Sequence, residues 1–189
     1  MEREIGHLKN ERFDIIIIGG GINGAGIARD AAQRGFSVCL LEKNDFAGAT
    51  SSRSSKLIHG GLRYLEHFEF SLVKESLRER ACLLHIAPHL VRPLPFMIPI
   101  YETQKQSALR IKTGLTLYDL LAGKYLIKKH ESLTRDELLK FAPRIQTNGI
   151  KTVYRYFDAQ MNDARLCLEN ILDAEKYGAQ CWNDIRVEE

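Results

Sequence analysis

The stretch that decides the fold is "FDIIIIGGGINGAG", which runs from Phe13 to Gly26. Four consecutive isoleucines lead directly into three consecutive glycines. A short β-branched apolar run is typical of a parallel strand that is covered on both faces. Glycines allow a sharp turn and a close approach of bare backbone to another group. The stretch therefore predicts a buried strand that turns at once into the next element.

The residues that follow predict a helix and a second strand. "INGAGIARDAAQRG" has helical periodicity and ends at Gly35, which suits a helix C-terminus. The residues predicted to form its packing face are Ile22, Ala25, Ile27, Ala28, Ala31 and Ala32. Ala28 and Gly35 are small, so we expect them where the helix approaches the sheet closely. "FSVCLLE" then predicts a second strand that ends at Glu42.

The glycine spacing in this unit matches a dinucleotide-binding fingerprint. Gly19 is predicted to make the tight turn, Gly21 to let the backbone approach a pyrophosphate, and Gly24 to let helix and strand pack closely. Glu42 lies 23 residues after Gly19, close to the roughly 20-residue spacing of a ribose-binding acid. Strand, turn, helix, strand and acid together predict an adenine dinucleotide site, but they do not distinguish NAD from FAD.

Composition limits the function classes. The chain has 189 residues, 44% of them hydrophobic, and a formal net charge of only +3, so charge gives no reason to expect a nucleic-acid partner. The four cysteines are scattered without a Cys-x-x-Cys pair, which predicts buried, reduced thiols and no metal site. They are Cys39, Cys82, Cys167 and Cys181. The opening "MEREIGHLKNER" lacks the apolar centre of a signal peptide, so we expect a cytoplasmic location.

A hydroxyl-rich loop follows the second strand. Five of the six residues from Thr50 to Ser55 carry hydroxyl groups, which can donate hydrogen bonds to phosphate oxygens. His59, Gly60 and Gly61 come next and are expected to form a flexible turn with exposed backbone. On composition alone, a solvated loop explains the hydroxyl groups equally well.

Four stretches resemble one enzyme family over nearly the whole chain. They are "GGGINGAGIARDAAQRG", "TSSRSSKLIHGGLRYLEH", "APHLVRPLPFMIPIY" and "YFDAQMNDARLCLENILDAEKYGA". Together they resemble the amino-terminal part of the FAD-dependent, aerobic-type glycerol-3-phosphate dehydrogenases. The resemblance implies FAD as cofactor, oxidation of sn-glycerol 3-phosphate to dihydroxyacetone phosphate, and transfer of the electrons to a quinone.

The same resemblance implies roles for individual residues. The residues that fall in FAD-contacting segments are Gly19, Gly21, Gly24, Glu42, Thr50, Ser51, Ser55 and His59. Arg63 and Tyr64 match the pair that faces the substrate in this family. A guanidinium suits a phosphate or alkoxide oxygen, and a phenol can donate a hydrogen bond to the same group. No residue is assigned as the catalytic acid or base.

The predicted fold class is α/β, with a Rossmann-like FAD-binding parallel sheet interleaved with an incomplete α+β substrate domain. Residues 1–12 form a polar tail, 13–92 the first part of the FAD-binding domain, 93–160 the start of the substrate domain, and 161–189 the return to the FAD-binding domain. In the last part "AQCW" is predicted as the third parallel strand, after a helix that Asp163 caps.

Family members of this kind are several hundred residues long. We therefore expect that the strands on the far side of "FDIIII" and the rest of the substrate domain lie outside this chain, and that the chain alone is inactive. Two alternatives stay open. One is a FAD-dependent amino-acid or amine oxidase, whose substrate carboxylate Arg63 could also bind. The other is a non-catalytic remnant.

The segment 105–129 combines positive charge with apolar residues. It contains six basic residues and one acid, Asp119. The apolar residues interleaved with them are Leu109, Ile111, Leu115, Leu117, Leu120, Leu121 and Leu126. This composition suits peripheral contact with an anionic membrane surface at the inner face of the cytoplasmic membrane. It suits equally a domain-packing helix with a solvated basic edge.

Overall fold

The computed structural model describes residue 8, residues 10–104 and residues 107–188. Its strands are β1 (Ile15–Ile18), β2 (Val38–Leu41), β3 (Leu57–Ile58), β4 (Val91–Tyr101), β5 (Glu131–Leu133), β6 (Ile150–Met161) and β7 (Gln180–Trp182). Its α-helices are α1 (Ile22–Gln33), α2 (Phe70–Ile86), α3 (Ala108–Ala122), α4 (Arg135–Phe141) and α5 (Asp163–Lys176). Short 3₁₀ helices cover Thr50–Ser52, Leu62–His67 and Gly123–Tyr125.

These elements form two compact units. The first unit comprises the described residues up to Lys56 together with those from Asn162 onward, and the second unit is Leu57–Met161. The sequence placed the first change of domain between residues 92 and 93, whereas the compact units change between Lys56 and Leu57. The assignment of one unit to cofactor binding and of the other to substrate binding stays a prediction. Most of the predicted tail, residues 1–7 and 9, lies outside the described residues.

The first unit contains a three-stranded parallel sheet in the order β1-β2-β7. Ile15 pairs with Val38 and Cys39 pairs with Gln180, so the predicted third strand is confirmed. Helix α1 packs against α5 and against the sheet. This is the α/β arrangement that the sequence predicted. Strand β1 forms an edge of the described sheet, and its Ile16 and Ile18 side chains are 62% and 71% exposed.

The packing face of α1 is narrower than the sequence predicted. Its buried residues are Ala25, Ala28, Ala31 and Ala32. Ile22 and Ile27 are exposed, so their assignment to this face was wrong. The role predicted for Gly35 in close packing was also wrong, because a Cβ there would meet no atom within 4 Å. Gly35 has a φ of +87°, and that left-handed conformation just after the helix is what favours glycine.

The N-terminus of α5 differs from the prediction by one residue. The N-cap is Asn162, whose side chain accepts a hydrogen bond from the backbone N–H of Arg165 at 3.1 Å. Asp163 is the first helical residue and is buried. Its carboxylate therefore does not cap the helix but serves a long-range contact in the same unit.

The second unit is an antiparallel sheet against which the helices α2, α3 and α4 pack. The strand order is β3-β6-β4, and β5 also pairs with β6. Three prolines lie within β4, at residues 93, 95 and 99. Proline cannot donate to a strand ladder, and β4 tolerates it because this strand pairs with β6 alone in the described sheet. The capping box predicted for α4 is confirmed, with Thr134 and Glu137 bonded reciprocally.

Most of the apolar residues of the basic segment pack within the second unit. Residues 105 and 106 lie outside the described residues, and α3 begins at Ala108. Five of the seven apolar residues named above are buried or half-buried: Ile111, Leu115, Leu117, Leu121 and Leu126. Leu109 and Leu120 are exposed. No helix among the described residues is long and apolar enough to cross a membrane.

Candidate functional site

The glycine turn between β1 and α1 uses each fingerprint glycine for a different reason. Gly19 has a φ of +111°, which favours glycine whatever the available space. A Cβ on Gly24 would lie 1.9 Å from the carbonyl oxygen of Gly19, so the helix approaches the turn more closely than any side chain permits. A Cβ on Gly21 would lie 3.3 Å from Ser51 Oγ, a contact that a small shift relieves, so packing within the protein does not by itself require glycine at this position.

Glu42 is bonded to the backbone of the same turn. Its Oε2 accepts a hydrogen bond from the Gly20 N–H at 2.7 Å, and its Oε1 accepts one from the Asn44 N–H at 2.8 Å. A Cβ on Gly20 would lie 2.6 Å from Phe46 Cδ1 and 2.9 Å from Glu42 Cβ. The sequence did not single out Gly20, although the third consecutive glycine was the available signal. Each carboxylate oxygen keeps a further lone pair, so Glu42 can still accept a hydrogen bond from a ligand.

The N-terminus of α1 presents unoccupied donors beside this acid. Gly21 is the N-cap and supplies no side-chain cap. Ser51 Oγ accepts a hydrogen bond from the Ile22 N–H at 2.9 Å. Within the described part of the chain, no group accepts a hydrogen bond from the backbone N–H of Gly21, Asn23 or Gly24. Free N–H groups and the positive end of the helix dipole together favour a bound anion.

Asp163 anchors the hydroxyl-rich loop through Ser54 and Lys56. Ser54 Oγ donates to Asp163 Oδ2 at 2.6 Å, and Lys56 Nζ lies 2.7 Å from Asp163 Oδ1. The Lys56 ammonium, together with the Ser54 hydroxyl, holds the pKa of this buried carboxyl well below its usual range. Thr50 and Ser55 are exposed. The structure thus brings Ser51 to the glycine turn and leaves Thr50 and Ser55 facing solvent.

The remaining predicted site residues belong to the second unit. The backbone of the turn after β3 was predicted to be exposed, and this was wrong, because Gly60 and Gly61 are both buried. Gly61 has a φ of +70°, and a Cβ there would lie 2.2 Å from Cδ2 of Tyr64. The Gly61 N–H donates to His59 Nδ1 at 3.1 Å, and the Tyr64 N–H donates to the Gly61 carbonyl at 2.8 Å. The segment His59–Tyr64 is therefore a tightly folded turn.

Arg63 and Tyr64 both reach the surface of the second unit. Arg63 is exposed, and it forms no ion pair with any residue that the structure describes. Tyr64 is 37% exposed, with one edge of its ring packed over Gly61. An unpaired guanidinium beside a phenol can bind an oxyanion. The surface salt bridge that would have explained Arg63 structurally is not formed among these residues.

The sequence matches the family described as FAD dependent oxidoreductase over residues 14–189. The chain belongs to this family. FAD as the cofactor and oxidoreductase as the class of enzyme, both predicted from the sequence, are thereby confirmed. The free N–H groups of the glycine turn and the carboxylate of Glu42 fit the diphosphate and ribose of such a cofactor.

Relatives within the family agree with the resemblance seen in the sequence. The chain is 47% identical over 186 residues to a glycerol-3-phosphate dehydrogenase of Synechocystis sp., covering 98% of this chain and 34% of that protein. It is 42% identical to an alpha-glycerophosphate oxidase of Streptococcus pyogenes, covering 96% of this chain and 30% of that protein. The chain spans about a third of the length of these relatives.

A solved structure gives the same picture of the fold. The glycerol-3-phosphate dehydrogenase from Bacillus halodurans, in complex with FAD, superposes with a TM-score of 0.68 at 32% identity. The match covers 97% of this chain and 29% of that one. The fold of this chain is therefore similar to that of a solved flavoprotein structure.

Proposed function

We propose that the protein carrying this chain oxidises sn-glycerol 3-phosphate to dihydroxyacetone phosphate with FAD, and that the electrons pass to a quinone. The observation that best supports the binding of FAD is the glycine turn, where free backbone N–H groups lie beside Glu42. The substrate rests on the relatives, which are named for glycerol 3-phosphate at 42–47% identity. FAD, when bound, supplies the two-electron acceptor.

The first unit is proposed to hold the cofactor. The backbone N–H groups of Gly21 and Gly24 donate to the diphosphate, and Gly19 shapes the turn that presents them. Glu42 accepts hydrogen bonds from the adenosine ribose through the lone pairs that Gly20 and Asn44 leave unused. The side chains of this unit that are proposed to complete the cofactor contacts are those of Thr50, Ser51 and Ser55. His59 belongs to the second unit, and its contact with FAD stays a prediction.

Arg63 and Tyr64 are proposed to bind the substrate. The Arg63 guanidinium is exposed and unpaired among the described residues, so it can engage a phosphate or alkoxide oxygen without first breaking an ion pair. Tyr64 is fixed by its packing on Gly61 and can donate its hydroxyl hydrogen to the same oxygen. Both groups orient the substrate, which raises its effective concentration at the reacting centre.

Arg63→Ala tests this assignment in the protein expressed from its natural reading frame. A lost charge-assisted hydrogen bond is worth about 1.5–3 kcal/mol, so kcat/KM for glycerol 3-phosphate should fall roughly tenfold or more. Flavin absorbance per protein should not change. Arg144→Ala removes another exposed arginine of the second unit and serves as the control. Unchanged kcat/KM in Arg63→Ala would rule out the substrate role, and faster reduction by amino acids than by glycerol 3-phosphate would favour the amino-acid oxidase alternative.

The quinone acceptor motivates the proposal of peripheral membrane contact through residues 105–129. Leu109 and Leu120 are exposed and lie 11 residues apart on α3, which is about three helical turns, so they share one side of the helix. Lys112 and Lys124 are exposed in the same segment. Exposed apolar side chains flanked by lysines suit an anionic bilayer surface.

Two measurements separate the outcomes of this proposal. Liposome co-sedimentation should increase with the fraction of anionic lipid and fall on charge reversal at Lys112 and Lys124, but not at Lys151, an exposed lysine of β6. Co-sedimentation that does not depend on the fraction of anionic lipid would indicate instead that α3 is a packing helix with a basic edge. Comparing oxygen consumption with reduction of a soluble quinone analogue identifies the acceptor; consumption of oxygen alone would contradict the quinone.

A further inference from the structure

The second unit contains a buried network of charged and polar side chains that the sequence did not indicate. Arg80, Asp158 and Tyr118 are each only 1% exposed. Arg80 donates to Asp158 Oδ1 at 2.6 Å and also to the backbone carbonyls of Phe157 at 3.2 Å and Tyr125 at 3.0 Å. The Tyr118 hydroxyl donates to the same Oδ1 atom at 2.8 Å. Burial raises the pKa of Tyr118, and the neighbouring Asp158 raises it further, so the phenol stays protonated as a donor.

One backbone N–H, that of Gly60, connects this network to the turn after β3. The Gly60 N–H donates to the Tyr118 hydroxyl at 2.8 Å and lies 3.2 Å from Asp158 Oδ1. A Cβ on Gly60 would lie 2.3 Å from the Tyr118 hydroxyl and 2.4 Å from Leu77 Cδ2. The loop backbone therefore sits directly against the network, with no room for a side chain between them.

A buried ion pair contributes little net stability compared with well-packed apolar side chains. Here three donors converge on Asp158 Oδ1, and one of them is the Arg80 guanidinium, whose positive charge compensates the carboxylate. The arrangement gives the loop a strong acceptor in a dry environment, where a hydrogen bond is electrostatically stronger than in water. Apolar residues of the same volume could fill the space but could not hold the Gly60 N–H.

Fixing Gly60 also fixes the residues on either side of it. The Gly61 N–H is bonded to His59, and the Gly61 carbonyl accepts from the Tyr64 N–H. Gly61 itself lies under the Tyr64 ring. Arg63 is carried on the same 3₁₀ turn, Leu62–His67. A shift of Gly60 would therefore be passed to the whole segment His59–Tyr64.

We propose that Tyr118 and Asp158, with the charge of Asp158 compensated by Arg80, are positioning residues that set the backbone of His59–Tyr64 for substrate binding. The inference rests on the proposed function, because it assumes that Arg63 and Tyr64 contact glycerol 3-phosphate. Tyr118 and Asp158 act through this backbone and do not touch the substrate themselves.

Tyr118→Phe tests the proposal, because it removes the hydroxyl and keeps the ring. In the protein expressed from its natural reading frame with FAD bound, amide exchange across His59–Tyr64 should become about tenfold faster. KM for glycerol 3-phosphate should rise about tenfold, while kcat changes far less and the flavin spectrum stays the same. Tyr101→Phe is the matched control, since its hydroxyl donates to the Gln146 carbonyl at 2.9 Å in the same unit but outside the network. It should alter neither readout.

The possible outcomes distinguish a failure of the positioning role from a failure of the proposed function. Unchanged exchange of His59–Tyr64 in Tyr118→Phe would overturn the inference, and so would faster exchange with an unchanged KM in a protein that oxidises glycerol 3-phosphate. If the unmodified protein does not oxidise glycerol 3-phosphate, the proposed function fails. The positioning role of Tyr118 and Asp158 is then tested by the amide exchange of His59–Tyr64 alone. Should Tyr118→Phe not fold, Asp158→Asn, which keeps the side-chain shape, is judged by the same two readouts.

Discussion

A methyl group added at Gly24 is expected to distort the turn that binds the cofactor. In Gly24→Ala the new Cβ would lie 1.9 Å from the Gly19 carbonyl oxygen and 3.1 Å from its carbon. Even close C···O contacts in proteins are about 3.3 Å or longer, so the turn or the helix must move by more than about 1 Å. The obstructing atoms are backbone and cannot rotate away. Overpacking costs about 1–3 kcal/mol, and we expect a loss near the upper end of this range.

Two other glycines of the same region are matched controls. Gly26 lies inside α1, and a Cβ there would meet no atom within 4 Å. Gly26→Ala should therefore stabilise the first unit by about 0.5–1 kcal/mol, because alanine is the better helix former. At Gly21 the Cβ would lie 3.3 Å from Ser51 Oγ, a contact that a small shift relieves. Gly21→Ala should thus spare the stability of the apoprotein and lower its affinity for FAD.

Urea unfolding of the apoproteins, expressed from the natural reading frame and followed by circular dichroism, measures the difference. The free energies of unfolding of Gly24→Ala and Gly26→Ala should differ by about 4 kcal/mol, the sum of the two effects above. Values within about 1 kcal/mol of each other would refute the argument from close approach. FAD titration then separates Gly21→Ala, with weaker binding and near-normal stability, from Gly24→Ala, where both fall.

Three further predictions follow from charge, exposure and the sheet edge. The folded-state pKa of Asp163 lies below its unfolded value of about 3.9. Its contact with Lys56 therefore stabilises the protein above about pH 3.9, and this stabilisation is lost as the pH falls further. The difference in free energy of unfolding between the unmodified protein and Asp163→Asn, measured in urea, should shrink below about pH 4. Cys82 is exposed, so the prediction that all four thiols are buried was wrong at this position. Burial raises the pKa of the other three thiols, to about 12 in Cys181, and mass spectrometry should therefore show alkylation at Cys82 well before any other cysteine. The exposed Ile16 and Ile18 lie on one face of the edge strand β1; the 189-residue chain expressed alone should therefore self-associate in light scattering and hold FAD weakly.

Each of these three predictions has a result that contradicts it. A stability difference for Asp163→Asn that is the same at pH 7 and pH 3 would show that the ion pair does not anchor the loop. Equal alkylation rates at all four cysteines would contradict the burial of the other thiols. A monomeric chain with a cooperative thermal melt and stoichiometric flavin would contradict the expected consequence of the exposed strand edge.

Local sequence patterns were sufficient for the elements of the first unit. The order of strand, glycine turn, helix and strand follows from residues close together in the chain, as does the capping box of Thr134 and Glu137. Predictions that depended on which face of an element is covered were less accurate. Ile22 and Ile27 were assigned to the packing face of α1 and are exposed, because apolar character alone does not show which neighbour packs against a helix.

The amino-acid sequence by itself determined that the site suits an adenine dinucleotide, since the fingerprint glycines and Glu42 act through conformation and spacing that are readable over about thirty residues. Only the tertiary structure decided what holds the site in place. Asp163 reaches Lys56 across 107 positions, and Asp158 reaches Gly60 across 98. A buried carboxylate is costly unless donors surround it, and those donors come from segments that the fold, and no local pattern, brings together.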